Sequence, residues 1–301
     1  MKCLICGSTE IDVIYDDFIR DGAPCTLTKE KYKMFQCKGC DTIWHRTDRK
    51  RNREYYQSRE YRNKMENSTD VSSYHRLHDK EVLEKLEFTG TELFRNAKVA
   101  DIGCGGGSFL DFISGAADEI IAVEPYAVYR EHLTAKGYHT YAYAENALND
   151  YMRALDVVTS FDVIEHADDP VVFMEEVYRL LKPGGKAIIG TPSDSPVIRA
   201  LMGREYEQKL LFSVQHPWIL SEKGFSLCCE KAGFRNICIA QKQRYGLSNL
   251  LLWLKERQPR GRYCRLDFIS QTLEQTYRRE IEEKGQADYL VAYLEKDKQE
   301  I

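Results

Sequence analysis

The feature that most constrains the fold of this chain is the stretch 99–109, with the sequence Val-Ala-Asp-Ile-Gly-Cys-Gly-Gly-Gly-Ser-Phe. A short apolar run that includes one acid, Asp101, leads into a turn with glycine at every second position: Gly103, Gly105 and Gly107. This pattern predicts a buried parallel strand, a tight turn and a helix, because glycine adopts backbone angles closed to other residues and lets a ligand approach the main chain. The turn fits the dinucleotide pattern G-x-G-x-x-G poorly, and the Asp101 carboxylate would lie close to the charges of a pyrophosphate. We therefore expect a ligand that carries an ammonium and a sulfonium group.

This stretch opens a regular alternation of strands and helices. The strand candidates cover residues 98–102, 119–123, 138–142, 156–161, 186–191, 236–241 and 289–294. The helix candidates between the first five strands cover residues 108–114, 126–136, 146–153 and 171–181. Short apolar strands that alternate with helices predict the α/β fold class, with a doubly wound, mostly parallel sheet and a ligand crevice at the carboxyl ends of its strands.

Two cysteine pairs near the start have the spacing of a structural metal site. Cys3 and Cys6 form one C-x-x-C knuckle, and Cys37 and Cys40 form a second, with 30 residues between the pairs. Each knuckle points two thiolates at one ion, so the two together complete a closed tetrahedral zinc site with no open position for catalysis. The residues between them alternate as expected for a β ribbon, at 11–15 and 32–36. A redox pair or idle thiols are the alternatives.

Length and composition exclude several classes of protein. A net charge of −4 gives no global attraction to nucleic acid or to an acidic membrane. The most apolar short run, 247–254, is too short to cross a membrane, and the first residues lack an apolar core of signal-peptide length. Ten cysteines in 301 residues do not make a disulfide scaffold, so we expect a cytoplasmic protein with reduced thiols.

Residues 46–64 are basic and rich in tyrosine, with eight Lys or Arg side chains against three acids. Tyr55, Tyr56 and Tyr61 are interleaved with these charges. Such a surface could hold a nucleotide diphosphate or an RNA backbone, or it could be a solvated linker helix. We expect four segments: a zinc ribbon over 1–45, this linker with a following helix over 46–90, the ligand-binding core over 91–245, and a helical insertion plus the last strand over 246–301.

Further site candidates end the strands that follow the glycine turn. Glu124 ends the second strand, 17 residues after the last of the three glycines, where a carboxylate can accept both hydroxyls of a ribose. Ala144 and Glu145 follow the third strand and could frame an adenine ring. The end of the fourth strand supplies two more pocket residues: Phe161 and Asp162.

These positions together resemble the class I S-adenosylmethionine-dependent methyltransferases. D-x-G-x-G-x-G from Asp101 to Gly107 is similar to motif I of this family, Glu124 matches its ribose acid, and the sequence at 144–145 matches its adenine corner. Asp-Val-Ile-Glu-His at 162–166, followed by Asp-Pro at 169–170, resembles the motif after the fourth strand. The resemblance covers roughly residues 75–240. It implies S-adenosylmethionine as cofactor and a seven-stranded sheet whose last strand runs antiparallel.

The amino-terminal half narrows this resemblance. A zinc ribbon, an Arg/Tyr-rich segment and then this domain are similar to methyltransferases of bacterial polysaccharide and sugar-nucleotide gene clusters, including the zinc-containing sugar C-methyltransferases. His216 matches a histidine that in the latter group reaches the sugar, whereas Gln215 departs from a glutamate of that group. The departure favours a hydroxyl acceptor, so the resemblance implies O-methylation of a sugar, a sugar nucleotide or a polysaccharide precursor.

Methyl transfer to an alcohol needs a base, and histidine is suited to that role near neutral pH. His216 lies on a segment expected to cover the acceptor, and the ring of His166 could be oriented by Glu165. The alternatives are that His166 only shapes the cofactor pocket and that His216 hydrogen-bonds beneath Trp218. The other histidines are expected on helical or ribbon surfaces without a chemical role: His45, His75, His78, His132 and His139.

Two functions other than small-molecule methylation stay open. An rRNA or tRNA methyltransferase would use the basic residues of 46–64 and 255–265 as its footprint. A non-catalytic binding protein could have kept the fold and lost the activity. The insertion at 246–283 could form a lid or a homodimer contact.

Overall fold

The computed structural model describes residues 1–46, 54–66 and 70–298. The strands in these residues are β1 (Ile11–Asp17), β2 (Tyr32–Cys37), β3 (Ile43–Trp44), β4 (Lys98–Ile102), β5 (Glu119–Val123), β6 (His139–Tyr141), β7 (Leu155–Phe161), β8 (Leu181–Pro192), β9 (Trp218–Ile219), β10 (Asn236–Lys242) and β11 (Tyr289–Glu295). They form a seven-stranded sheet in the order β10-β11-β8-β7-β4-β5-β6 and a four-stranded sheet in the order β1-β2-β3-β9.

Helices fill the connections between these strands. They are α1 (Arg59–Glu66), α2 (Val71–His78), α3 (Val82–Thr89), α4 (Ser108–Ile113), α5 (Ala127–Ala135), α6 (Ala144–Tyr151), α7 (Pro170–Leu180), α8 (Pro196–Met202), α9 (Arg204–Tyr206), α10 (Glu222–Ala232), α11 (Leu247–Glu256) and α12 (Gln271–Glu283). No helix in the described ranges combines the length and the apolar character needed to cross a bilayer.

The seven-stranded sheet is mostly parallel, as predicted. β4 pairs in parallel with β5 and β7, and the pairs β5–β6 and β7–β8 are parallel as well. β11 runs the other way. Gly184, near the start of β8, donates its N–H to the carbonyl of Lys296, which follows the end of β11. Ser193, just after the end of β8, donates its N–H to the carbonyl of Asp288, which precedes the start of β11. Bonds that join the beginning of one strand to the end of the other require opposite directions, so the implied antiparallel last strand is confirmed.

One strand boundary differs clearly from the prediction. β8 begins at Leu181 and not at residue 186. Gly184 N–H donates to the Lys296 carbonyl and Lys296 N–H donates to the Gly185 carbonyl, and these two bonds hold the Pro-Gly-Gly segment in the sheet. The preceding helix starts as expected. The Asp169 carboxylate accepts from the N–H groups of the first turn of α7, and Pro170 occupies a position where no N–H is needed.

The chain forms two compact units. The first consists of Met1–Arg46, Thr191–Phe225 and Ile239–Val291, and the second consists of Thr47–Gly190, Ser226–Cys238 and Ala292–Ile301. In the first unit the predicted ribbon is present as the antiparallel pair β1–β2, and β3 extends it. β9 then pairs with β3, with Trp218 opposite Trp44 and their indole rings stacked 6.0 Å apart. The segment that carries His216 is therefore anchored to the ribbon.

The first unit has its own apolar core. Side chains from the ribbon, such as Ile19 and Met34, pack with Tyr206, Phe212 and Trp253. Trp253 lies on α11 and is fully buried. The predicted insertion contains the helices α11 and α12, and α11 joins this core through its buried face.

Candidate active site

The glycine turn has the backbone conformation that its sequence predicts. After β4, Gly103, Gly105 and Gly107 have φ angles of +78°, +56° and +91°. A Cβ at Gly105 would overlap the hydroxyl of Tyr74, and one at Gly103 would overlap the side chain of Val163. Glycine is thus required at this turn for two reasons, the left-handed backbone and the lack of space.

Asp101 lies beneath this turn at the end of β4. Its carboxyl group is buried and accepts a hydrogen bond of 2.7 Å from the Thr159 hydroxyl on the neighbouring strand β7. Burial raises the pKa of Asp101 to about 6, although the positive charge of Lys85 acts in the opposite direction.

Glu124 follows β5 and faces the turn. Its side chain is buried, and it accepts hydrogen bonds from Gly105 N–H at 3.0 Å and from Tyr126 N–H at 2.7 Å. It also forms a buried ion pair with Arg62 of α1. The Arg62 guanidinium lies over the rings of Tyr129, Tyr61 and Tyr126, at 5.0, 5.1 and 5.8 Å from their centroids. Sequence reasoning did not foresee this pair; the only signal for it was the alternation of arginine and tyrosine in residues 46–64.

The other predicted pocket residues lie at the same ends of their strands. Ala144 begins α6 and is buried, with Glu145 in the same first turn. Phe161 ends β7 and packs edge-on against Phe109, with their centroids 5.9 Å apart. Asp162 has a φ of +58°, a conformation that few residues other than glycine adopt, and its N–H donates to the carbonyl of Gly190.

Glu165 and His166 form a short 3-10 turn just after this position. Glu165 is buried, whereas His166 is half-buried. The Nδ1 atom of His166 lies 3.2 Å from the hydroxyl oxygen of Tyr56, and the two rings are 5.2 Å apart. Two members of the Arg/Tyr-rich segment, Tyr56 and Arg62, thus contact predicted site residues within one compact unit. Other basic residues of that segment lie outside the described residues: Arg49, Lys50, Arg51 and Arg53.

His216 belongs to the first unit, where its N–H donates to the carbonyl of Ser213. The preceding Gln215 is buried and bridges to the ribbon side of that unit, because it accepts from Gly22 N–H and donates to Asp21. The prediction that His45 lies on a surface was wrong. This side chain is buried, with its ring nitrogens 3.0 and 3.1 Å from two carbonyl oxygens, and burial lowers its pKa.

The four cysteines of the two knuckles converge in the first unit. All four sulfur atoms lie within 4.8 Å of one another, with Cys3 and Cys40 at 3.7 Å and Cys6 and Cys37 at 3.3 Å. This arrangement is compatible with one tetrahedral zinc ion.

Comparison with known proteins places residues 74–239 in a family described as a methyltransferase domain. The ubiquinone biosynthesis O-methyltransferase of Sodalis glossinidius (strain morsitans) is 32% identical over 136 residues, which cover 42% of this chain and 53% of that protein. The protein of the same name from Xanthomonas euvesicatoria pv. vesicatoria (strain 85-10) is 31% identical over 144 residues, which cover 44% of this chain and 60% of that protein. The matches therefore span little more than half the length of these relatives.

A solved structure of a SAM-dependent methyltransferase from Archaeoglobus fulgidus is similar to this chain with a TM-score of 0.50 and 16% identity, covering 78% of this chain and 98% of that one. This similarity shows a shared fold. The family match covers more than half of the sequence and includes the glycine turn and Glu124. The chain therefore belongs to the family of methyltransferase domains.

Proposed function

We propose that this protein is an S-adenosylmethionine-dependent O-methyltransferase that acts on a hydroxyl group of a small molecule. The observation that carries the proposal is the buried Glu124 carboxylate, hydrogen-bonded to Gly105 N–H in a turn of left-handed glycines. This carboxylate faces a turn whose glycines carry no side chains of their own, as a nucleoside-binding turn requires.

The residues around the turn fit S-adenosylmethionine. Each oxygen of Glu124 can accept two hydrogen bonds, and Gly105 N–H uses one on Oε2, so that oxygen has capacity for a ribose hydroxyl. A pKa of about 6 leaves Asp101 mostly ionised at neutral pH, as recognition of an ammonium group needs. We assign the remaining pocket positions to the adenosyl and methionyl parts: Gly103, Gly107, Ala144, Glu145, Phe161 and Asp162.

S-adenosylmethionine, when bound, would supply a methyl carbon on a cationic sulfur that can leave with the electron pair of the carbon–sulfur bond. The protein aligns the acceptor with this carbon and removes the hydroxyl proton. We assign the base to His166, because it lies in the same compact unit as the glycine turn and directly follows the buried Glu165. His216 is the alternative base, and it is tested by the same comparison of variants.

Two classes of hydroxyl acceptor are compatible with this proposal. The similarity to proteins named for ubiquinone biosynthesis supports a hydroxylated aromatic ring of the quinone type. The zinc ribbon followed by an Arg/Tyr-rich segment supports the sugar or sugar nucleotide expected from the sequence. Both are small molecules whose hydroxyl must lose its proton, so the role of His166 is the same in each.

The test is to incubate the full chain with methyl-labelled S-adenosylmethionine and a panel of hydroxylated aromatic rings, nucleotide sugars and RNA fragments. Label in an O-methylated small molecule is the expected result, and it identifies the acceptor class. Labelled RNA, or a product methylated on carbon or nitrogen, would overturn the assignment. His166→Asn and His216→Asn are compared with the unaltered chain, and loss of kcat in His166→Asn alone is expected.

We also propose that Cys3, Cys6, Cys37 and Cys40 hold one structural zinc ion. The convergence of four sulfurs from two knuckles at the end of the β1–β2 ribbon supports this assignment. A closed set of four thiolates stabilises the ribbon and leaves no coordination position for a substrate.

A further inference from the structure

Tyr56 contacts one ring nitrogen of the proposed base. Its hydroxyl oxygen lies 3.2 Å from His166 Nδ1. Its ring meets the imidazole edge-on, at 5.2 Å between centroids and 64° between planes. Tyr61 approaches the same imidazole at 6.5 Å and 84°. Two aromatic rings thus pack against the His166 ring, and Tyr56 adds a polar contact at one defined nitrogen.

We propose that Tyr56 is a positioning residue for His166: its hydroxyl oxygen accepts a hydrogen bond from Nδ1–H and thereby keeps the lone pair of the imidazole on Nε2. This inference rests on the proposed function, in which His166 accepts the proton of the methyl acceptor. An imidazole with its proton on Nδ1 can take up a proton only at Nε2. Tyr56 therefore selects the nitrogen that acts as base.

The surroundings of Tyr56 keep its hydroxyl protonated, as the proposed hydrogen bond requires. Burial raises the pKa of Tyr56 well above its usual value, and the charges of neighbouring groups, among them Tyr61 and Glu165, act in the same direction. Tyr56 consequently stays a neutral hydroxyl, which can both donate and accept. A neutral hydroxyl oxygen keeps the lone pairs that the proposed hydrogen bond from Nδ1–H requires.

The proton balance of the reaction is consistent with this arrangement. The acceptor O–H bond breaks as the oxygen bonds to the methyl carbon, and its proton moves to Nε2 of His166. The resulting imidazolium keeps its Nδ1–H bond to Tyr56. It directly follows Glu165 in the sequence, and a carboxylate there can balance its positive charge. Tyr56 itself exchanges no proton with the acceptor, which is why we call it a positioning residue.

The test uses the full chain labelled with ¹⁵N-histidine, in which long-range ¹H–¹⁵N spectra report which ring nitrogen is protonated. Spectra are recorded at about pH 8.5, roughly two units above the ordinary pKa of histidine, so that an ordinary imidazole is in its neutral form. His166→Asn assigns the signals. We expect the Nδ1–H tautomer for His166 in the unaltered chain and a shift to the Nε2–H tautomer in Tyr56→Phe. Tyr55→Phe is the matched control and should leave the tautomer unchanged. Tyr55 lies in the same cluster of rings, with its centroid 5.9 Å from that of Tyr56.

The outcomes separate this inference from the proposed function. An Nε2–H tautomer in the unaltered chain, or an unchanged tautomer in Tyr56→Phe, overturns the role of Tyr56 whether or not the chain methylates any acceptor. With the acceptor identified, Tyr56→Phe is expected to lower kcat about tenfold or more, within the range of general-base effects, with an unchanged KM for S-adenosylmethionine. Equal losses of kcat in Tyr55→Phe and Tyr56→Phe would indicate mere packing and contradict the inference.

Discussion

The contact between Arg62 and Glu124 occupies part of the carboxylate that was predicted to bind a ribose. Both side chains are buried, and they come from segments that are 62 residues apart. Oε1 of Glu124 already accepts from Tyr126 N–H and from Arg62, which uses both of its lone pairs. A ribose that donates two hydroxyls to this carboxylate therefore competes with Arg62.

Substitution of Arg62 tests this competition. In Arg62→Gln the ion pair need not be broken when the nucleoside binds, so we expect S-adenosylhomocysteine to bind about tenfold more tightly, equivalent to about 1.4 kcal/mol. Titration calorimetry measures the change. Arg59→Gln, on an exposed position of the same helix, is the control and should bind as the unaltered chain does. Weaker binding in Arg62→Gln would show instead that the guanidinium supports the ligand.

Asp101 predicts a dependence of stability on pH. Its pKa rises from the usual 3.8 to about 6 in the folded protein, because burial disfavours the carboxylate. Between pH 3.8 and about 6, the Asp101 carboxyl is therefore ionised to a greater extent in the unfolded chain than in the folded one. The charge thus destabilises the fold above pH 6, and this penalty disappears as the pH falls from about 6 to 3.8.

Asp101→Asn removes this charge and keeps the acceptor oxygen for Thr159. We expect a free energy of unfolding about 2–3 kcal/mol higher than that of the unaltered chain at pH 8, with a difference that shrinks as the pH is lowered below 6. Urea denaturation at a series of pH values measures it. S-adenosylhomocysteine binding should be lost in the same variant, because the ammonium group then lacks its carboxylate. A variant no more stable than the unaltered chain at pH 8 would contradict the pKa argument.

At the scale of elements, the strands and helices around the glycine turn followed from local patterns. The apolar strands β4, β5 and β7 and the turn glycines lie where periodicity and glycine spacing predict. The start of β8 did not, because its Pro-Gly-Gly segment resembles a turn and is held in the sheet by bonds to Lys296, more than a hundred residues further along the chain.

Substitution of a glycine in the turn should affect both stability and ligand binding. Gly105→Ala places a Cβ at φ +56° and against the hydroxyl of Tyr74, so we expect a loss of about 1–3 kcal/mol in stability and no detectable binding of S-adenosylhomocysteine. Gly115→Ala is the matched control, because a Cβ there meets nothing within 4 Å and should change neither quantity by much. Thermal unfolding and calorimetry measure both variants. Normal binding by Gly105→Ala would contradict the position of the ligand.

At the scale of the whole molecule, the proposed zinc ion holds together a ribbon that packs against the rest of its compact unit. The ribbon contributes Ile19 and Met34 to the same core as Trp253, and β9 pairs with β3. Loss of the ion should therefore loosen more than the first residues of the chain.

Metal analysis tests this expectation. We expect one zinc ion per chain, and in Cys37→Ser we expect loss of the metal and a decrease in the melting temperature, because binding of a structural zinc contributes directly to folding. Cys238→Ser is the control, since Cys238 is exposed and lies outside the cluster. An unaltered chain that contains no zinc, or a Cys37→Ser variant that melts at the same temperature as the zinc-loaded unaltered chain, would remove the zinc assignment.

The chemistry that sequence patterns can reveal is local, and this chain shows both its reach and its limit. Glycine spacing, an acid at a strand end and paired cysteines marked the turn, Glu124 and the metal cluster, because each of these signals is a short motif or follows another at a characteristic spacing along the chain. The contacts of Arg62 with Glu124 and of Tyr56 with His166 join residues 62 and 110 positions apart. Periodicity tells which near neighbours share a face of a helix or strand, but not which distant segment packs on that face, so only the folded chain brings these partners together.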